Sequence, residues 1–117
     1  MSELMRYLKF QKIWIYSEAI DFRKQANGLI DLILSQLEKE PGNGDMYIFR
    51  NRQSNRIKLL FWDRNGYFLG LKRLEKGTFS FPESSNEIQL TEEELSELIS
   101  GMPMLQFSGL KKTIYTH

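Results

Sequence analysis

The chain has 117 residues, 16 basic against 15 acidic, no cysteine and a single histidine, His117. That length suits one domain, 1–117, able to stabilise its own core. Without thiols there are no disulfides or thiolate metal sites, a lone terminal histidine argues against a His-based metal centre or a Ser-His triad, and the reducing cytoplasm is the natural setting.

The opening MSELMRYLKFQ is too broken by charge to read as a signal peptide, and no apolar run is long enough to cross a membrane. Residues 1–11 show no clear period and read as an arm or part of a sheet edge. Lys12 to Tyr16 is short and rich in β-branched and aromatic residues, which predicts a strand. A helix is expected over about Phe22 to Lys39. Phe22, Ala26, Leu29, Ile30, Ile33, Leu34 and Leu37 fall on one face of a 3.6-residue period, with Asp21 as N-cap and Pro41, Gly42 and Gly44 as terminators. Arg23 and Lys24 would then lie in the first turn, where the helix dipole disfavours cations. They read either as solvated side chains or, with the helix amides, as an anion receiver.

Further strands are expected at Met46–Phe49, Arg56–Trp62, Tyr67–Leu74 and Thr78–Phe81. The polar loop Arg50–Asn55 lies between the first two, and an Asn65-Gly66 hairpin turn between the second and third. Alternation places Arg56, Lys58, Leu60 and Trp62 on one face with Tyr67, Leu69, Leu71 and Arg73. Ile57, Leu59 and Phe61 fall on the other with Phe68, Gly70 and Lys72. In a two-residue loop register Lys58 faces Arg73; in a four-residue register Arg56 does. In both, two cations oppose each other, which disfavours pairing unless an anion lies over them. Ser84 to Glu87 read as a loop. Thr91 and Glu94 form a capping box, with Leu90 and Leu95 as staple, for a helix buried through Leu95, Leu98, Ile99 and Met102 and ended by Gly101 and Pro103. Its polar face is acidic. Residues 103–117 read as a tail, with Phe107, Leu110 and Tyr115 as anchors.

The near-neutral total hides segregation. From Arg50 to Lys76 there are eight basic residues and two acidic ones, a surplus of six, so the rest of the chain carries five net negative charges. Segregation of this kind points to a charged partner.

Several stretches together resemble a known family. Asp21-Phe22-Arg23-Lys24 with Gly28-Leu29 is similar to the opening motif of the small accessory protein, called TnpB, encoded beside the transposase of bacterial insertion-sequence family sixty-six. It is unrelated to the RNA-guided nuclease of the same name. Phe49-Arg50-Asn51-Arg52, Arg56 to Leu60, Trp62-Asp63, Gly66, Lys72 to Gly77 and Phe79 to Pro82 match in order and spacing, and Leu90-Thr91, Leu95, Leu98 and Gly101 close the pattern. The resemblance spans about residues 12–102. Here Phe22 stands for the usual Met, Gln25-Ala26 for Gly-Phe, and the tail is longer. The resemblance implies an accessory role in DNA transposition, no assigned catalysis and no cofactor.

The expected fold is α+β: an antiparallel sheet of four to five strands packed against one long helix, with a short C-terminal helix at an edge. The expected function is a non-catalytic accessory factor that binds DNA phosphates through Arg23, Lys24, Arg50, Arg52, Arg56, Lys58, Lys72 and Arg73. Trp62, Tyr67, Phe79 and Phe81 are candidates for base stacking. The alternative is an assembly factor that docks the transposase without touching DNA. Catalysis by two metals would need clustered carboxylates, but Asp21, Asp45, Asp63 and Glu75 each sit at a cap, turn or loop that explains them structurally.

Overall fold

A computed structural model describes residues 8–83, 87–104 and 107–109. Five strands form one sheet: β1 (Ile13–Ala19), β2 (Met46–Arg50), β3 (Arg56–Asp63), β4 (Gly66–Arg73) and β5 (Glu87–Leu90), in the order β4-β3-β2-β1-β5. Helix α1 (Ala26–Leu32) continues as a π-helical turn, Ile33–Leu37, and α2 is Glu92–Ile99.

The sheet is mixed, not antiparallel as expected. β1 runs parallel to β2, while the other three pairings are antiparallel. The reason lies in the connection: a strand, a helix and a strand in succession return the chain in the same direction. β5 also differs from expectation. The fifth strand is Glu87–Leu90, beside β1, and Thr78–Phe81 is not a strand. Phe79 instead turns its buried ring into the core and donates its N–H to the Ser54 carbonyl.

Each face carries a core. Ile13, Ile15, Met46, Ile48, Ile57, Leu59, Phe61, Ile88 and Leu90 pack beneath Leu95 and Leu98 of α2, joined by Phe79 and Phe107. Tyr47, Phe49 and Leu60 pack beneath Leu29, Leu32, Ile33 and Leu37 of the α1 segment. The helices therefore cover opposite faces, and α2 is not an edge element. Leu8 and Phe10 join the α2-side core, Phe10 meeting Phe61 edge-on.

The first helix is much shorter than Phe22–Lys39, and its N-cap is Gln25 without a side-chain bond, not Asp21. Backbone competition explains this. Helix bonds from Ala26 and Gly28 would need the carbonyls of Phe22 and Lys24. Both are taken by Lys58 Nζ, at 2.8 and 2.6 Å. Asp21 meanwhile accepts the Arg23 N–H, closing a tight turn of its own. At the far end Glu38 adopts a left-handed conformation (φ 54°) and Lys39 N–H bonds to the Ile33 carbonyl.

Helix α2 matches its local signals. Thr91 and Glu94 make the reciprocal capping box. Gly101, at φ 77°, ends the helix, with Gly101 and Met102 N–H returning to the carbonyls of Leu98 and Glu97, a Schellman pattern. Met102, expected inside, is 54% exposed because it lies past that turn. Phe107 is buried as expected; Leu110 and Tyr115 lie outside the described residues.

Candidate nucleic-acid interface

The β3–β4 hairpin has the face assignment expected from alternation, in the register that sets Arg56 opposite Arg73. Asp63 pairs with Gly66, so Arg64-Asn65 form the turn, and the left-handed residue is Arg64 (φ 55°), not Asn65 or Gly66. At the open end of the hairpin, two arginines thus share a face.

The loop before β3 aims a third arginine. Asn51 is buried and organises it: its Oδ1 accepts from the N–H groups of Asn55 and Arg56, at 3.1 and 3.0 Å, and its Nδ2 donates to Asn55 Oδ1 at 2.6 Å. Sequence reading treated Asn51 only as part of a polar loop. The available signal was an Asn followed four residues later by another, the pattern of a side chain closing a turn onto the backbone. With this loop fixed, Arg52, Gln53 and Arg56 form one wall of a polar concavity of about 510 Å³. Ala19, Ile20, Asp21, Phe22 and Arg23 form the other.

The eight cations do not share one surface. Arg23, Arg52 and Arg56 line the concavity, and Arg73 lies across the ladder from Arg56. Lys24 is exposed on the adjoining turn, its stem packed close over Gly28, where a Cβ would come within 3.1 Å of Lys24 Cβ. Lys58 is buried, bonded to the two carbonyls and set 4.7 Å from the Phe22 ring centroid. Burial pulls its ammonium below the usual lysine range, with Asp21 opposing. Arg50 turns to the α2 side: Nε donates to the Ser17 carbonyl and Nη1 to Ser54 Oγ, and the guanidinium stacks 5.5 Å from Phe81. Lys72 also faces α2, where its ammonium bonds the Ile99 carbonyl at the negative end of that helix.

Among the described residues, Arg52 and Arg56 have no ion-pair partner. Arg23 does. Its guanidinium meets the Asp21 carboxylate at 2.7 Å, and this contact holds the Asp21 carboxyl well below the usual carboxylate range while raising Arg23. Arg73 pairs with Glu75 at 2.9 Å.

The aromatic candidates do not gather here. Trp62 and Tyr67 pack edge-to-face against each other at the turn end of the hairpin, six residues and about 20 Å along β3 from Arg56. Phe79 is buried and Phe81 lies under Arg50. The carboxylates are dispersed as well. Asp45 is buried, where it accepts from Lys12 N–H and Trp14 Nε1–H and so ties β1 to β2; Asp63 pairs with Arg64. Among the described residues, no three His, Cys, Asp or Glu side chains come together to hold a metal ion.

A mixed sheet between two helices, with arginines rather than a carboxylate cluster at its open end, is the frame of a small α+β protein. The chain belongs to the IS66 Orf2-like family: the family model TnpB_IS66 matches residues 11–108. It is thus a transposition-associated accessory protein of insertion sequences. Among relatives, the uncharacterized protein y4jC of Sinorhizobium fredii (strain NBRC 101917 / NGR234) is 35% identical over 92 residues, 78% of this chain and 79% of that one. The uncharacterized protein y4hO of the same strain is 29% identical over 92 residues, 78% and 80% of the two chains. No solved structure matches the chain. No helix among the described residues is long and apolar enough to cross a membrane.

Proposed function

We propose that this protein assists transposition without catalysis of its own, by gripping the DNA phosphate backbone with the α1-side, open end of its sheet. Arg52 and Arg56 make the principal contacts, flanked by Arg23, Lys24 and Arg73. The observation that carries this reading is the concavity in which Arg23, Arg52 and Arg56 converge, two of them without an ion-pair partner among the described residues. Arg56 and Arg73, directly opposed on neighbouring strands, add to it: Glu75 offsets Arg73 at 2.9 Å, while Arg56 has no carboxylate partner among the described residues. Arg50, Lys58 and Lys72 support the fold of this end and do not contact phosphate.

Fluorescence anisotropy tests this with labelled duplexes carrying the element's terminal repeats and a scrambled control. Salt-sensitive binding that falls about tenfold or more in R52A/R56A is expected, each lost phosphate contact being worth roughly a factor of several at low salt. Absence of binding at low salt overturns the reading.

A second reading, a dock for the element's transposase, is favoured by an open, mostly apolar groove of about 490 Å³ on the α2 side. Phe61, Phe68, Gly70 and Ile99 help line it. Transposase captured by the wild type and by R52A/R56A, but not by S96R on the α2 wall of the groove, selects that reading.

A further inference from the structure

Three exposed arginines carry a carboxylate from their own neighbourhood in sequence: Arg64 with Asp63, Arg73 with Glu75, and Arg23 with Asp21. The last pair stands apart, because both of its members line the concavity with Arg52 and Arg56. Arg23 Nε lies 3.1 Å from each Asp21 oxygen, Nη2 lies 2.7 Å from Oδ2, and the Arg23 backbone N–H donates to Oδ1 at 2.9 Å. The carboxylate thus fills the same guanidinium fork that would seat two oxygens of a phosphodiester. Arg23 is 91% and Asp21 46% exposed, so water and solutes reach the pair. Exposed pairs of this kind are weak and exchange readily.

We propose that Asp21 is a resident counter-ion that occupies the Arg23 fork in the free protein and yields it to a backbone phosphate of DNA, so that Asp21 sets how tightly the concavity binds. The inference rests on the reading that this concavity meets DNA. The event is an exchange of partners: one guanidinium–carboxylate contact is replaced by one guanidinium–phosphate contact, and the carboxylate passes to solvent. No proton moves, because a carboxyl with an ordinary value of 3.8 is ionised at neutral pH with or without the Arg23 contact. Lys58, bonded to the carbonyls of Phe22 and Lys24 on either side of Arg23, holds the turn in place while the side chains change partners.

The variant that isolates this is D21N. Its amide oxygen still accepts the Arg23 N–H, so the turn is kept while the charge is removed. Binding of a 20-base-pair duplex across a salt series is compared for the wild type, D21N, R23Q, D21N/R23Q and D63N. D63N makes the same charge change beside Arg64, at the far end of the hairpin. D21N is expected to bind about three- to tenfold more tightly at low salt, with the slope of log K against log salt steeper by about 0.9, because in the wild type the cation that the freed Asp21 takes up offsets the one its phosphate releases. D21N/R23Q is expected to lose that gain, and D63N to show less than half of it. No tightening in D21N, a gain that survives in D21N/R23Q, or an equal gain in D63N overturns the inference. Failure of both the wild type and D21N to bind removes the DNA reading itself and the inference with it. Binding by D21N alone also overturns the inference, because a wild type that never binds has not yielded the fork.

Discussion

Lys58 decides more of this structure than its neighbours in sequence suggest. It sits on a strand whose alternation reads as a half-exposed cationic face, yet it is 6% exposed and spends its ammonium on two backbone carbonyls 34 and 36 residues away. Hydrogen bonds from a charged donor are worth about 1.5–3 kcal/mol each when buried, so Lys58→Met is expected to cost about 2 kcal/mol in urea unfolding. The same variant should weaken DNA binding only as far as it loosens the Arg23 turn. A loss as large as that of R52A/R56A, with stability unchanged, would make Lys58 a direct contact instead. Tyr47 gives the opposite expectation. It is 1% exposed, and its hydroxyl lies near Asn43 without a hydrogen bond of ordinary geometry. Tyr47→Phe removes an unpaired buried group and should stabilise the fold by about 1 kcal/mol. Burial, then the nearby Asp45 charge, push the Tyr47 phenol up to about 12. Above its ordinary value of 10.0 the unfolded chain releases this proton and the folded chain keeps it. Stability should therefore fall between about pH 10 and 12, and by less in Tyr47→Phe, as urea midpoints at pH 9 and 11 would show.

At the scale of elements, legibility followed the range of the interactions that fix each one. The α2 start is written within four residues, Thr91 to Glu94, and was readable in full. Thr91→Ala is expected to cost about 1 kcal/mol, measured as a lower urea midpoint at pH 7. Burial alone would raise the Glu94 carboxyl, but the N–H and hydroxyl donors of Ser108 and Thr91 outweigh it and hold it below its ordinary value of 4.5. The cap's contribution is therefore complete above about pH 4.5 and is lost as pH falls through the lower folded value, so Thr91→Ala should narrow the gap to wild type in acid. The start of α1 was misread because its apolar period extends into Phe22, while the residue that blocks the helix lies on β3. Strand direction is not legible in alternation, which carries no polarity; it is set by the β-α-β order from β1 through α1 to β2. β5 was missed because four residues, two of them polar, following a Ser-rich stretch resemble a loop. The hairpin faces, set by a local parity, were right. Among the site residues the arginines were legible by composition. The division between the two faces was legible for Lys72, from the same parity, but not for Arg50, which turns to a carbonyl and a ring distant in sequence.

Across the whole molecule, the charge segregation becomes a division between faces. The acidic helix α2, with exposed Glu92, Glu93 and Glu97, covers the face opposite the one that carries Arg56 and Arg73. A polyanion would therefore be drawn to one side and repelled from the other even though the net charge is only +1. Salt dependence measures how many cations take part, because each neutralised phosphate contributes about −0.9 to the slope of log K against log salt. If all eight candidate cations touched phosphate, the slope would approach about −7. The structure removes Arg50, Lys58 and Lys72 to internal contacts and gives Arg23 and Arg73 carboxylate partners, which leaves Arg52, Arg56 and Lys24. The expected slope is accordingly about −2 to −3. Lys72→Ala supplies the check on direction. It should lower the unfolding midpoint, because it strips a donor from the end of α2, and leave the slope unchanged. A slope near −7, or one that drops by a full contact in Lys72→Ala, would mean that DNA wraps both faces of the sheet, against the division that α2 imposes.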